Sequence, residues 1–246
     1  AGQILAILYH HMEELMPGSL KNEGLKKKDR LDPEDVGTFA TTLSYLCETL
    51  EVQLPEVYLK PDFSPVIEPL AVQPATLIVD DRQFKGLEHR EMLFLAARAA
   101  VLSRPDFLVG LLLPTAQVRA LLDAAAQVYT PHFVAQGNAA EVANLRKRIE
   151  RSVPRKLRDL LGNFCNEYMT FAHDFDIDGW RVAMLVAAHR AGLVLCHDLS
   201  VAVRMTKAHP GRLSPEQVEQ LLRDLVNYST SDGALTLRRQ LGFSVR

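Results

Sequence analysis

Cysteine, aromatic rings and net charge are all scarce in this chain, and each scarcity removes a class of protein. The three cysteines, Cys47, Cys165 and Cys196, are widely spaced, odd in number and form no CxxC pair, which suggests neither a disulfide framework nor a zinc ribbon. Reduced thiols in a cytoplasmic protein are the expectation. Aromatic residues are missing from the basic stretch at 146–158, which counts against the base stacking that single-stranded nucleic acid needs there. The formal net charge is -2 with 24% charged residues, neither the acidity of a disordered chain nor the basicity of a dedicated nucleic-acid binder. There is no GxSxG, no Gly-rich phosphate loop, and no Cys/His pair beside a supporting acid. No run approaches the ~18 apolar residues of a membrane span, and a signal-peptide pattern is missing from the start.

What is present is apolar patterning: 48% hydrophobic content over 246 residues suffices for one or two cores without metals or disulfides. Residues 3–16 place Ile4, Leu5, Leu8, Met12 and Leu15 at helical spacing up to the Pro17-Gly18 stop. This segment opens on a helical pattern without an initiator Met, as expected of the tail of a longer protein. A polar stretch then ends at Asp32, read as an N-cap, with Pro33 at the first helical position of a helix reaching about Glu51. From Leu54 to Asp81, five prolines exclude a long helix. Val57-Tyr58-Leu59, Val66-Ile67 and Thr76-Leu77-Ile78-Val79 predict a small antiparallel sheet, closed by Asp80-Asp81. Helices are predicted at 86–103, 114–129, 138–152, 154–174, 178–208, 215–229 and 232–241. The fold class is therefore α+β, mostly α. N-terminal helices (1–53) precede a domain at 54–246, with its sheet at 54–81 and a helical bundle at 86–246, all in one compact unit.

Two helices carry the functional argument. Residues 92–102 are apolar on every face except Arg98, the pattern of a central helix. Residues 181–204 include Ala183, Ala187, Ala188, Ala191 and Gly192, small enough to let the first helix approach closely. A strand, Thr76 to Val79, leads to Glu88-His89-Arg90-Glu91-Met92-Leu93-Phe94, and later comes Ala188-His189-Arg190-Ala191-Gly192-Leu193. This order resembles the gluzincin peptidases of the HtpX and CAAX prenyl protease type, over roughly residues 54–208. The resemblance implies a zincin-type fold and puts the two histidines of HExxH at Leu95 and Ala99 and its glutamate at Ala96. It puts the third-ligand glutamate at Leu185 and the aspartate that follows the retained Ala188 at His189. Leucine and alanine offer no lone pair to a metal. The resemblance thus implies a pseudo-peptidase without metal or cofactor, in which Leu95, Ala96, Ala99 and Leu185 meet in the core. It further implies a protein-interaction or scaffolding module with a protein partner, at the end of a larger bacterial helical-repeat protein of tetratricopeptide type.

Other candidates stand beside this reading. His10-His11 with Glu13-Glu14 have helical spacing for a metal but also suit a solvated face. His89 precedes the apolar run, and His189, His197 and Asp198 on one predicted helix form a possible displaced catalytic or metal site. The string His173-Asp174-Phe175-Asp176-Ile177-Asp178 is acidic but lacks the glycine and distal glutamate of an EF-hand loop, so it reads as a turn with Asp178 capping the next helix. Cys165 and Cys196 read as inert packing residues. Arg146, Lys147, Arg148, Arg151, Arg155, Lys156 and Arg158 crowd thirteen positions opposed there by Glu150 alone. They form either a solvated face or a surface for anions; the want of aromatics in the stretch counts against single-stranded nucleic acid, and nucleic acid in general is possible but not favoured as a partner.

Overall fold

The computed structural model describes residues 1–12, 15–31, 38–211 and 213–242. In chain order the helices and strands are α1 (Gly2–His11), α2 (Thr38–Thr49), β1 (Glu56–Leu59), β2 (Ile67–Pro69), β3 (Thr76–Val79), α3 (Asp81–Lys85) and α4 (His89–Leu102). There follow α5 (Pro105–Leu112), α6 (Thr115–Tyr129), α7 (Ala139–Ser152), α8 (Arg155–Met169), α9 (Ile177–Cys196), α10 (Leu199–Ala208), α11 (Pro215–Ser229) and α12 (Asp232–Gln240). They assemble into two compact units that interleave in sequence. Unit 1 comprises Ala1–Ser19, Ala71–Ala75 and Arg104–Arg181; unit 2 comprises Leu20–Leu70, Thr76–Ser103 and Val182–Arg246. Neither follows the boundary expected between residues 53 and 54, and the single compact unit expected from the sequence is replaced by two.

Unit 1 is built around α6, in which residues 120–126 are buried without a break. Three alanines in a row, Ala124 to Ala126, keep the helix slim enough for α1, α5, α7 and α8 to surround it. One charged side chain sits inside, Asp123. Its Oδ2 accepts the backbone N–H of Gln136 and of Gly137, each at 2.8 Å, and its Oδ1 accepts the Tyr168 hydroxyl at 3.3 Å. Arg119 extends the network by donating to the Tyr168 oxygen at 3.1 Å and to the carbonyls of Ala172 and Phe175. The loop before α7 and the turn after α8 are thereby tied to one helix. The short 71–75 segment belongs here because the Tyr9 hydroxyl donates to the Val72 carbonyl (3.2 Å) and the Gln73 amide to the Tyr9 carbonyl (2.6 Å). Gly18 N–H donates to the Ala71 carbonyl at 2.7 Å. A Cβ on Gly18 would lie 2.4 Å from that oxygen, so only glycine fits.

Unit 2 holds the sheet, with strand order β1-β3-β2. The expected antiparallel arrangement applies to one pair: β2 runs antiparallel to β3, whereas β1 is parallel to it, Glu56 opposite Thr76 and Leu59 opposite Val79. The residues after Leu59, with Pro61 and Pro65, carry the chain past β3 to its far edge, so β1 and β2 never pair. Pro69 is tolerated because β2 is an edge strand. Asp80 both ends β3 and caps α3, accepting N–H bonds from Arg82 and Gln83.

Several predicted boundaries move. The helix expected at 3–16 stops at His11, with Met12 already extended, and an extra helix, α5, fills the expected break at 104–113. The helix expected at 154–174 stops at Met169, and residues 172–174 form a single 3-10 turn. The run 178–208 breaks at His197, whose left-handed φ of 57° separates α9 from α10. Asp176, not Asp178, caps α9 by accepting the N–H groups of Asp178 and Gly179 at 3.0 Å. The expected cap at Asp32 and Pro33 lies outside the described residues.

Asp123 gives unit 1 a measurable vulnerability. Asp123→Ala removes the acceptor of two part-buried N–H groups and of the buried Tyr168 hydroxyl and is expected to cost about 2–3 kcal/mol in urea unfolding. Asp123→Asn retains an acceptor oxygen and is expected to cost no more than half as much.

Candidate functional site

The site suggested by the sequence lies where α4 meets the second part of α9 in unit 2. Residues 94–101 of α4 are all buried, more than two helical turns without a face toward water. Leu95, Ala96 and Ala99 belong to one apolar cluster with Leu77 and Val79 of β3, Leu43 and Leu46 of α2, Leu193 of α9, and Ala202 and Met205 of α10. The close helix approach expected from the small residues of α9 occurs at Gly192. A Cβ there would fall 2.7 Å from the Phe94 ring and 2.9 Å from the Phe94 carbonyl oxygen. Ala188 is buried, whereas Ala183 and Ala187 are exposed. The expected meeting of four positions is corrected to three. Leu185 is half-buried and is not among the cluster's described members, because it precedes the Gly192 crossing by seven residues, about 10 Å of helix rise.

Two polar side chains enter this core. Arg98 is 5% exposed; its Nη1 donates to the His209 carbonyl at 2.9 Å, while its Nε has no hydrogen-bond partner among the described residues. Burial pulls its pKa down to about 10, a shift that the charge of Glu68 opposes. His189 is 1% exposed, edge-on to the Phe94 ring, with Nδ1 2.8 Å from the Leu185 carbonyl. That contact places the proton on Nδ1 and leaves the lone pair on Nε2, which is buried without a hydrogen-bond partner among the described residues. Burial, reinforced by the charge of Arg98, lowers the His189 pKa to about 3. Such an imidazole stays neutral near pH 7 and is too weak a base for ordinary proton transfer.

The possible site of His189, His197 and Asp198 is not assembled. His197 lies beyond the end of α9, and Asp198 is engaged twice, accepting the Val201 N–H at 3.1 Å to cap α10 and pairing with Arg90 at 2.8 Å. His89 is exposed at the start of α4, and His10 is exposed on α1. Glu13 and Glu14, the expected companions of His10 and His11, lie outside the described residues. In the 173–178 string, Asp176 caps α9, Asp178 accepts from Thr115 (3.1 Å) and pairs with Arg181 (3.4 Å), and the His173 ring stacks on Phe133. Among the described residues no three His, Cys, Asp or Glu side chains are grouped to hold a metal ion.

Comparison with known proteins finds no matching family model, curated protein or solved structure. The cysteines are buried, which pushes Cys47 and Cys196 up to about 11 and Cys165 up to about 12. None is a thiolate near neutral pH. By length and composition α9 could cross a membrane, with a mean hydropathy of 1.2, yet 44% of that window is buried inside the protein and the helix carries Arg181, His189 and Arg190. No clear span is present among the described residues.

The basic stretch occupies the end of α7 and the start of α8, both in unit 1. Val142, Leu145 and Ile149 are buried, as the spacing predicts, and the cations lie on the other faces. Sequence reasoning noticed Arg98 only as an interruption; a lone arginine within an apolar run was the signal of a buried cation.

Two outcomes follow from the α4–α9 geometry. Since the folded pKa of His189, about 3, lies below the unfolded value of ~6.5, the unfolded chain binds this proton first. Its contribution to stability is complete above pH ~6.5 and falls by ~1.4 kcal/mol per pH unit as the pH drops from there toward the folded value. His10, His197 and His209, also lowered by burial, act in the same direction. The readout is therefore the difference between wild type and His189→Leu, whose unfolding free energy should decline less steeply through that window. Gly192→Ala should destabilise by about 1–3 kcal/mol despite its better helix propensity. Gly233→Ala, whose Cβ would meet only the Ser231 oxygen at 3.9 Å, should be neutral or stabilising in the same assay.

Proposed function

We propose that the protein is a non-catalytic interaction or scaffolding module, a pseudo-peptidase in which the metal-binding helix has become ordinary core. The observation that carries this reading is the closed apolar packing at Leu95, Ala96 and Ala99, which have almost no exposed surface. Zinc hydrolysis requires about three nitrogen or oxygen ligands, an open water position and a nearby carboxylate. At these positions there are instead methyl groups and a leucine, wrapped by β3, α2 and α10. The order of strand β3, central helix α4 and a later helix crossing it at Gly192 supports the resemblance on which the reading depends. Such packing also removes the cost of burying ligand side chains when no metal is bound. A protein partner fits a domain with this role.

Metal analysis of the purified protein, coupled to a peptidase assay, tests the proposal. The expected result is sub-stoichiometric zinc and no chelator-sensitive cleavage; stoichiometric zinc with chelator-sensitive activity would overturn it. A complementary variant probes the packing itself. Ala96→Glu is expected to cost about 3 kcal/mol or more, because it buries an unpaired carboxylate. Should the triple variant Leu95→His, Ala96→Glu, Ala99→His instead fold with wild-type stability and bind zinc, the position is an open site and the core-filling reading fails.

A further inference from the structure

We propose that the corner where α7 gives way to α8 binds the phosphate backbone of double-stranded nucleic acid without reading its sequence. The inference rests on unit 1 and is independent of the pseudo-peptidase reading. Of the seven cations in the stretch, three are otherwise occupied. Arg146 pairs with Glu150 at 3.0 Å, and Arg158 donates to the carbonyls of Glu150 (2.7 Å) and Val153 (3.4 Å). Arg148 is half-buried with an interaction of its own. The remaining four, Lys147, Arg151, Arg155 and Lys156, are exposed, and among the described residues none has a hydrogen-bond or ion-pair partner. Lys147 and Arg151 stand one turn apart on α7, while Arg155 and Lys156 occupy the first turn of α8.

That placement is electrostatically unfavourable for the protein alone. The start of a helix carries the positive end of its dipole and so repels cations placed in its first turn. The first turn of α8 contains no acid, and Pro154 supplies no side-chain cap. The nearby acids are not paired with these four: Glu150 is committed to Arg146, and Asp159, one turn along α8 from Arg155 and Lys156, forms no ion pair with either among the described residues. A bound anion removes the mutual repulsion, and charges spread over two helix ends suit a row of phosphates better than a single one.

The duplex is favoured over other polyanions by what surrounds the cations. No aromatic residue occurs from Ala139 to Asn163, so bases of a single strand would have nothing to stack on. Leu160 is the one exposed large hydrophobic described on α7 or α8, too little for the apolar anchor that protein interfaces and membrane insertion use.

Fluorescence anisotropy with a labelled random duplex of about 20 base pairs, titrated between ~50 and ~200 mM salt, tests the proposal. Four phosphate contacts predict a slope of log affinity against log salt of about -3.6. Replacing Lys147→Gln, Arg151→Gln and Arg155→Gln removes no intramolecular bond, so the thermal melt should be unchanged. The slope should fall to about -1, with at least about a tenfold loss of affinity at the lowest salt. The proposal is overturned if the wild-type protein shows no salt-dependent binding, or if the folded triple variant binds as the wild type does. It is equally overturned if polyglutamate displaces the duplex charge for charge, or if phosphatidylserine vesicles retain the protein more strongly than the duplex does.

Discussion

A helix with no side left for water survives only if other elements enclose it, and each unit of this protein is organised by one such helix. In unit 2 it is α4, buried from Phe94 to Val101; in unit 1 it is α6, buried from Ala120 to Ala126. Both are rich in alanine, which keeps the helix narrow and lets neighbours pack near backbone distance. The consequences are visible in the glycines: Gly192 seats against Phe94, and a Cβ on Gly137 would lie 3.1 Å from the Ala120 Cα. Each helix also carries a single charged residue into its core. Asp123 is well supplied with donors, whereas Arg98 has one described acceptor and a bare Nε. Unit 1 thus uses its buried charge to fix loops, while unit 2 carries the cost of one that is only partly satisfied.

The pseudo-peptidase proposal rests on the same enclosure. Had α4 borne metal ligands, the elements around it would have had to leave room for an ion, a water molecule and an entry path. Here the sheet, α2 and α10 close on Leu95, Ala96 and Ala99, and His189, the buried histidine beside Phe94, is held neutral by burial. His189 and Arg98 act together electrostatically, since the cation helps to keep the imidazole unprotonated. Among the described residues of unit 1, the cations without a hydrogen-bond or ion-pair partner lie at the α7–α8 corner.

How much could be read in advance varied with the range of the interaction. The strand Thr76–Val79 and the central helix after it were legible, since a continuous apolar run is stable only where the chain is enclosed on every side. The sheet was not, because strand order depends on where the chain goes between Leu59 and Ile67, and local propensity says nothing about which edge it reaches. The break at His197 was missed for a related reason: the apolar pattern continues across it, and the left-handed turn is stabilised by Asp198 capping α10 and pairing with Arg90, 108 residues away in sequence. The site positions on α4 were placed by the resemblance, whereas Leu185 was misjudged because the helix crossing point is a tertiary quantity.

The sequence alone determined that the fold is mostly helical with a small sheet, that no ligand-bearing residue lies on the α4 core, and that seven cations cluster before residue 159. Those are matters of residue type and periodicity, which each stretch carries within itself. Tertiary structure decided the division into two interleaved units, the mixed sheet, and the neutrality of His189. It also decided which of the seven cations are free. Each depends on groups far apart in the chain being brought within a few ångströms, and on the loss of water that comes with it.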